Sequence, residues 1–327
     1  MKRIVLLGFL GVALLLTSMT VVAEEEPLKL GMIGLDTSHV ITFTRVLHDT
    51  DHPEHVPGGR VVAAYKGGSD DLEMSYSRVD GFTEQLETEF GVQIVDTIEE
   101  LCGMVDAILL TSVDGRPHLE QVKPVFEAGL RVFIDKPLAG SLEDAVAIAE
   151  LGKKHDVPWF TSSAYRFYEG LQALKEADLG DVRGAISHGP CHLEPTHPDL
   201  FWYGVHPTEA LYTIMGAGCE VVTCAVTDDF HVATGVWENG RVGTLYGLRT
   251  GAAPNRVTVF GTKAVADQEG GSSYAPLVAE IITFFRTGVP PVAPEESIEM
   301  FAFMEAAHES IRRDGAPVRL DELPGMK

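Results

Sequence analysis

Four cysteines in 327 residues are too few, and too scattered, for a disulfide-built scaffold. Cys219 and Cys224 could bridge in an oxidising compartment, but they flank a strand-like segment, and an extended chain holds such residues apart, so free thiols are the expectation and the bridge the alternative. Cys102 sits among apolar residues and reads as a buried thiol. Positive charge is also scarce: 25 Lys and Arg face 48 Asp and Glu, a formal charge of −23. Such a chain repels nucleic acid and anionic lipid, and neutral sugars or cationic partners suit it better. No H-E-x-x-H or similar ligand spacing marks a metal centre. Internal repeats and low-complexity linkers are missing as well. One further absence bears directly on function. The loop after the first strand, Gly34-Leu35-Asp36-Thr37-Ser38-His39, stands where a dinucleotide fold carries G-x-G-x-x-G, yet it keeps only the first glycine. Asp36 takes the second position, where backbone N–H groups approach a pyrophosphate, and His39 takes the third, where helix packs on strand.

The one long apolar run lies at the front. Lys2 and Arg3 precede an uncharged stretch from Ile4 to Val22, and Val21-Val22-Ala23 forms a small-residue cleavage site. Residues 1–23 therefore read as a secretory signal peptide rather than an anchor, leaving no membrane span after cleavage. No twin arginine is present, so the expected route is Sec and the expected location periplasmic or extracellular. Cleavage moves the formal charge to −25 over 304 residues. That length holds two domains, each with its own core.

From residue 27 to 162 strands and helices alternate. Leu30–Leu35, Arg60–Lys66, Val92–Val95, Val105–Thr111, Arg131–Asp135 and Pro158–Thr161 read as strands. Val40–Leu47, Phe82–Phe90, His118–Ala128 and Ser141–His155 read as helices between them. This pattern predicts a doubly wound parallel sheet, an α/β Rossmann-like nucleotide-binding domain. Over residues 163–327 the grammar changes. Ala185–Pro190, Glu220–Thr227, His231–Trp237, Val242–Leu248 and Arg256–Gly261 read as strands joined by short turns. Helices are expected only near Glu209–Met215, Ala275–Phe285 and Ser297–Arg312. The second domain is thus α+β on a largely antiparallel open sheet. One sheet face lacks helical cover, which suits a homo-oligomer interface or solvent.

At Asp135-Lys136-Pro137, directly after the fifth strand, the chain resembles the Gfo/Idh/MocA family of sugar and cyclitol oxidoreductases. Their motif here is Glu-Lys-Pro. The similarity continues through His118-Leu119-Glu120, Tyr165-Arg166-Phe167 and Gly204-Val205-His206-Pro207-Thr208-Glu209. It implies a small carbohydrate-type substrate and NAD or NADP as cofactor. Lys136 matches the lysine that touches both nicotinamide and substrate, and His206 the histidine that exchanges a proton with the sugar hydroxyl, a role that suits imidazole. Glu209 stands where the family usually has aspartate, and Trp202 replaces the aspartate four residues before the histidine.

The candidate catalytic residues are accordingly Lys136, His206, Glu209 and Asp135. The dinucleotide would be held by Gly34, Leu35, Asp36, Thr37, Ser38, His39, Lys66, Thr111, Asp135 and Lys136. Lys66 stands near the ribose-binding position, where it suits a 2′-phosphate. Tyr165, Arg166, Trp202, Tyr203 and His206 are the substrate candidates, with Trp202 and Tyr203 either stacking on a sugar or filling the seam between domains. Two other classes stay open because the glycine loop is altered. One is a redox-silent lyase or glycoside hydrolase, either cofactor-independent or using a divalent metal on Asp36, His39 and His206. The other is a sugar-binding protein without catalysis.

Overall fold

The computed structural model describes residues 26–326; the signal peptide read over residues 1–23 lies outside the described residues. The first half runs β1 (Leu28–Ile33), α1 (His39–His48), β2 (Gly59–Tyr65), α2 (Glu73–Tyr76), α3 (Val79–Phe90), β3 (Gln93–Val95), α4 (Ile98–Cys102), β4 (Ala107–Leu110), α5 (His118–Glu127), β5 (Arg131–Asp135), α6 (Leu142–His155) and β6 (Trp159–Ser162). The six strands are all parallel in the order β3-β2-β1-β4-β5-β6. β4 is the run Ala-Ile-Leu-Leu, buried at every position, as a central parallel strand with both faces covered must be. Helix boundaries follow local chemistry. Ser141 Oγ accepts the Asp144 N–H at 3.0 Å and opens α6, and Gly91 in the left-handed region closes α3.

The second half opens with a 3-10 turn at Ala164–Phe167 and continues through α7 (Glu169–Glu176), β7 (Val182–Pro190), a π-helical turn (Leu200–Gly204) and α8 (Val205–Met215). Then come β8 (Cys219–Val226), β9 (Phe230–Trp237), β10 (Val242–Leu248), β11 (Arg256–Gly261), β12 (Val265–Asp267), α9 (Ala275–Thr287), α10 (Pro294–Arg312) and β13 (Val318–Arg319). Its sheet runs β12-β11-β7-β10-β9-β8-β13, antiparallel except for the β7–β10 pair. Every strand expected in this half is present. The short edge strands β12 and β13 and the helix α7 carry too little periodicity to be read from sequence.

Helices α8 and α10 cover one face of this sheet, burying Val222, Ala233, Trp237, Leu245, Val257 and Val259. The opposite face presents Phe230, Val236, Val242, Tyr246 and Phe260, each about 40% exposed. The boundary at residues 162/163 separates the sheets but not the cores. Leu277, Ile281 and Phe284 of α9 pack with Leu30, Phe133 and Phe160 of the first sheet, while α10 also rests on α6 and β6. The two units are thereby held edge to edge. All four cysteines are free, with Cys102 half-buried rather than enclosed. Among the described residues no helix is long and apolar enough to cross a membrane.

Candidate active site

In a doubly wound sheet the chain leaves the two strands at the switch point in opposite directions and opens a crevice at their carboxyl ends. Here that point lies between β1 and β4, where Ile33 pairs with Leu110. The residues that follow meet at once. Thr111 Oγ1 donates to the Gly34 carbonyl at 2.8 Å. A Cβ on Gly34 would stand 2.5 Å from the Ser112 backbone, and its φ is +83°. Only glycine fits both conditions.

Asp36 is fully buried. It accepts the Ser75 hydroxyl at 2.6 Å and the Val113 N–H at 2.8 Å. Burial pushes its carboxyl above the usual range, and those two bonds counter that only in part. The side chain thus clasps the β1 loop to α2 and to the β4 loop. Leu35 and Thr37 are buried beside it, whereas Ser38 is exposed at the start of α1 and makes no side-chain cap bond. Lys66 turns outward, its Nζ 2.6 Å from Asp80 Oδ1 in an exposed pair.

His39, the first residue of α1, is bonded through Nδ1 to the Asp135 carboxylate at the end of β5. Burial alone would raise that carboxyl, but His39 and Lys136 outweigh it and hold Asp135 below the usual range. An ionised Asp135 can only accept, so His39 Nδ1 carries a proton and donates in this bond. Burial pushes the Lys136 ammonium below its ordinary value; Asp135 and Asp36 oppose that, while Arg78 adds to it. Lys136 Nζ lies 5.8 Å from the centre of the Tyr203 ring. The Lys136–Pro137 peptide is cis.

The second unit supplies the facing wall. His206, near the start of α8, has its Nδ1 2.7 Å from Ser163 Oγ. Burial pushes this imidazole well below its ordinary value, and the nearby Lys136 and His39 deepen the effect. His39, Tyr165, Tyr203, His206, Asn255 and Tyr274 line one cavity of about 190 Å³. That is under the ~300 Å³ at which pockets for drug-sized ligands begin, so the cavity suits one small molecule.

Several sequence candidates stand elsewhere. Glu209 accepts from Arg166 Nε and from Ser162 Oγ, the latter at 3.0 Å, while Arg166 Nη2 reaches Glu296 at 2.7 Å. Glu209 and Arg166 are therefore committed to each other and do not line the cavity, which argues against a proton-transfer role for Glu209 and a substrate contact for Arg166. Trp202 packs with Leu72 and Val113 and lies tilted against His197 at 4.7 Å between ring centres. It fills the seam between the units and offers no face to a sugar. The metal alternative fails on geometry. Asp36 is turned to Ser75 and Val113, and among the described residues no group of three His, Cys, Asp or Glu side chains is placed to hold an ion.

Asn255, Ser163 and Tyr274 were not legible as site residues. Asn255 Oδ1 is buried without a hydrogen-bond partner among the described residues and borders the cavity. Its setting, Gly-Ala-Ala-Pro-Asn at 251–255, signals only a turn. Tyr274 follows a Gly/Ser stretch and stands edge-on to His39 at 4.9 Å.

The family model for oxidoreductases with an NAD-binding Rossmann fold matches residues 31–162. That model is the Gfo/Idh/MocA family's, and the match covers the first of the two units. Inositol 2-dehydrogenase 3 of Saccharopolyspora erythraea is 30% identical over 173 residues, 52% of this chain and 45% of that protein. The chain spans about half the length of the curated relatives it matches. A probable dehydrogenase from Thermotoga maritima superposes with a TM-score of 0.74 at 23% identity, covering 90% of this chain and 99% of that one. An oxidoreductase from Agrobacterium radiobacter, crystallised with NAD+, L-tartaric acid and magnesium, gives 0.72 at 15% identity over 91% of this chain and 99% of that one. These two likenesses establish the two-sheet fold.

The Gfo/Idh/MocA outline for a dinucleotide fits this chain at two points. Gly34 makes the tight turn, and the N-terminal end of the ten-residue α1 is open at exposed Ser38, which suits a phosphate. The Asp36 carboxylate spends its bonds on Ser75 and Val113 instead of on that helix end. Its charge still lies close by, and this distinguishes the loop from a glycine fingerprint.

Proposed function

We propose that this chain is an NAD(P)-dependent oxidoreductase acting on a secondary hydroxyl of a sugar or cyclitol. The observation that carries the reading is the meeting of His39 and His206, from different units, at one cavity sized for a single small molecule, with the Lys136 ammonium 5.8 Å from the centre of the Tyr203 ring that lines it. The nicotinamide, when bound, supplies the hydride acceptor. Gly34, Ser38 and the first turn of α1 would hold the phosphates. Lys136 donates to the reacting oxygen and stabilises the charge that develops there. His206, a neutral ring wedged between Ser163 and Tyr203, fixes the same hydroxyl, and Asn255 Oδ1 accepts a second one.

The test is nucleotide binding followed by turnover on a panel of cyclitols and aldoses. Asp36→Asn keeps one oxygen as acceptor for the Val113 N–H, lets its amide nitrogen donate to the Ser75 hydroxyl in place of the lost acceptor, and removes the carboxylate charge near the phosphates. We expect it to tighten NAD(H) or NADP(H) binding about tenfold, the equivalent of roughly 1.4 kcal/mol of relieved repulsion. Unchanged affinity, read by calorimetry, would mean that the phosphates do not lie at this loop. No binding of either nucleotide by wild type and variant alike would remove the dehydrogenase reading.

The same proposal includes export and self-association. It is supported by the residue 1–23 pattern and by the apolar side chains Phe230, Val236, Val242, Tyr246 and Phe260 exposed together on the sheet face that no helix covers. A monomer on sedimentation, or an exported protein that still begins at Met1, would remove the corresponding part.

A further inference from the structure

We propose that His39, oriented by Asp135, is the general base that takes the hydroxyl proton of the bound polyol, with His206 as its hydrogen-bonding counterpart across the cavity. This assignment deepens the dehydrogenase reading and rests on it. It places a catalytic residue at the third glycine position, where a Rossmann loop has no side chain to contribute.

Three observations carry it. Both imidazoles border the same small cavity, so a ring seated there touches both. Their tethers differ in kind. Asp135 can only accept, which fixes a proton on His39 Nδ1, and in the neutral ring the lone pair is then on Nε2. A serine hydroxyl can donate or accept, so Ser163 leaves the His206 tautomer unfixed. Finally, the ring of His39 is clamped, stacked on Phe43 at 5.1 Å and edge-on to Tyr274 at 4.9 Å, so its orientation is fixed before a ligand enters. When the hydroxyl proton moves to His39 Nε2, the buried Asp135 carboxylate stabilises the imidazolium, as in other carboxylate–imidazole pairs. His206 has no carboxylate bonded to it; Ser163 is its hydrogen-bond partner, and burial with the Lys136 cation outweighs the favourable field of Asp135 and disfavours its protonated form.

The step balances. The O–H bond would break toward Nε2 and its electron pair would form the carbonyl, the oxidised nicotinamide, when bound, supplying the acceptor for the C–H hydride. On reduction of the ketone the imidazolium returns its proton to the oxygen.

The experiment uses the full mature chain with NAD(P)+ and the best polyol of the panel. His39→Ala is expected to lower kcat about 10²–10⁴-fold with little change in KM, and added imidazole to restore part of the rate. Asp135→Asn is expected to lower kcat without imidazole rescue, as a positioning residue should. A His39→Ala enzyme that keeps its rate would overturn the assignment, and so would one that loses rate only through raised KM and gains nothing from imidazole. A second readout does not need turnover. In 15N-histidine-labelled protein, the His39 Nε2 resonance, assigned through its loss in His39→Gln, must move when the polyol is added. If the wild type oxidises nothing yet this resonance moves, the dehydrogenase reading fails and the contact of His39 with the polyol stands. If the polyol binds and the resonance stays still, the assignment fails whatever the enzyme's activity. If no polyol binds, both fail.

Discussion

Replacing Lys136 by methionine is expected to lower kcat about 10²–10³-fold, the usual cost of removing one donor from a developing oxyanion. Methionine keeps the apolar stem, so the packing at the β5 end survives while the cation over the Tyr203 ring is lost. The loss should therefore appear in turnover while circular dichroism and the melting curve stay close to wild type. The direction of the Lys136 shift adds a second signature. Burial lowers the ammonium below its ordinary value of 10.5, and Asp135 and Asp36 recover only part of that. The charged form exists below the shifted value and is lost above it. A rate that depends on that charge must fall as pH rises, and must do so earlier than for a free lysine. The alkaline limb should disappear in Lys136→Met, leaving a flat, low rate. Steady-state kinetics from neutral to alkaline pH checks both parts, and a variant with wild-type turnover would take Lys136 out of the chemistry.

The reach and limit of the sequence can be seen in the same residues. Lys136 and His206 could be placed because each sits at the end of a regular element, in a motif whose order along the chain survives. Strand β4 could be placed because a fully covered parallel strand is continuously apolar. Glu209 was misjudged for a different reason. A carboxylate on a helix next to a catalytic histidine looks available, and nothing local says that Arg166, 43 residues earlier, points at it. For Trp202 the sequence leaves two readings, a sugar platform or a filler of the seam between units, and only the fold selects the second, because its partners Leu72 and Val113 belong to the other unit. Asn255 and Tyr274 come from turns with no periodicity, so only the folded chain shows that they close the cavity. His39 is the instructive case. Its identity was visible as a fault in a glycine pattern, but its meaning depends on Asp135, 96 residues away.

The Arg166–Glu209 pair should matter for stability as much as Lys136 does for rate. The side chains are only 9% and 2% exposed, so each charge is out of water and depends on the other. Burial alone would weaken the Arg166 guanidinium's hold on its proton, but Glu209 and Glu296 outweigh it. Arg166→Met removes one partner and strands the Glu209 carboxylate with Ser162 as its remaining donor. The expected cost is about 3–5 kcal/mol, the range for breaking a buried pair from one side. Glu296 is less affected because it is 23% exposed and can be hydrated. Adding Glu209→Gln to Arg166→Met removes the stranded charge while keeping an acceptor for Ser162, so the double variant should recover much of the loss. That non-additivity is the signature of a coupled pair. Denaturant unfolding of wild type, both single variants and the double variant measures it. The functional consequence follows from position. Arg166 belongs to the turn that carries Tyr165, and Glu209 to the helix that carries His206, so the pair holds two walls of the cavity together. A single variant that still folds at low temperature should bind its ligand more weakly, and the double variant should regain affinity together with stability. Additive losses would show instead that the two residues act independently and that the cavity walls are held by apolar packing alone.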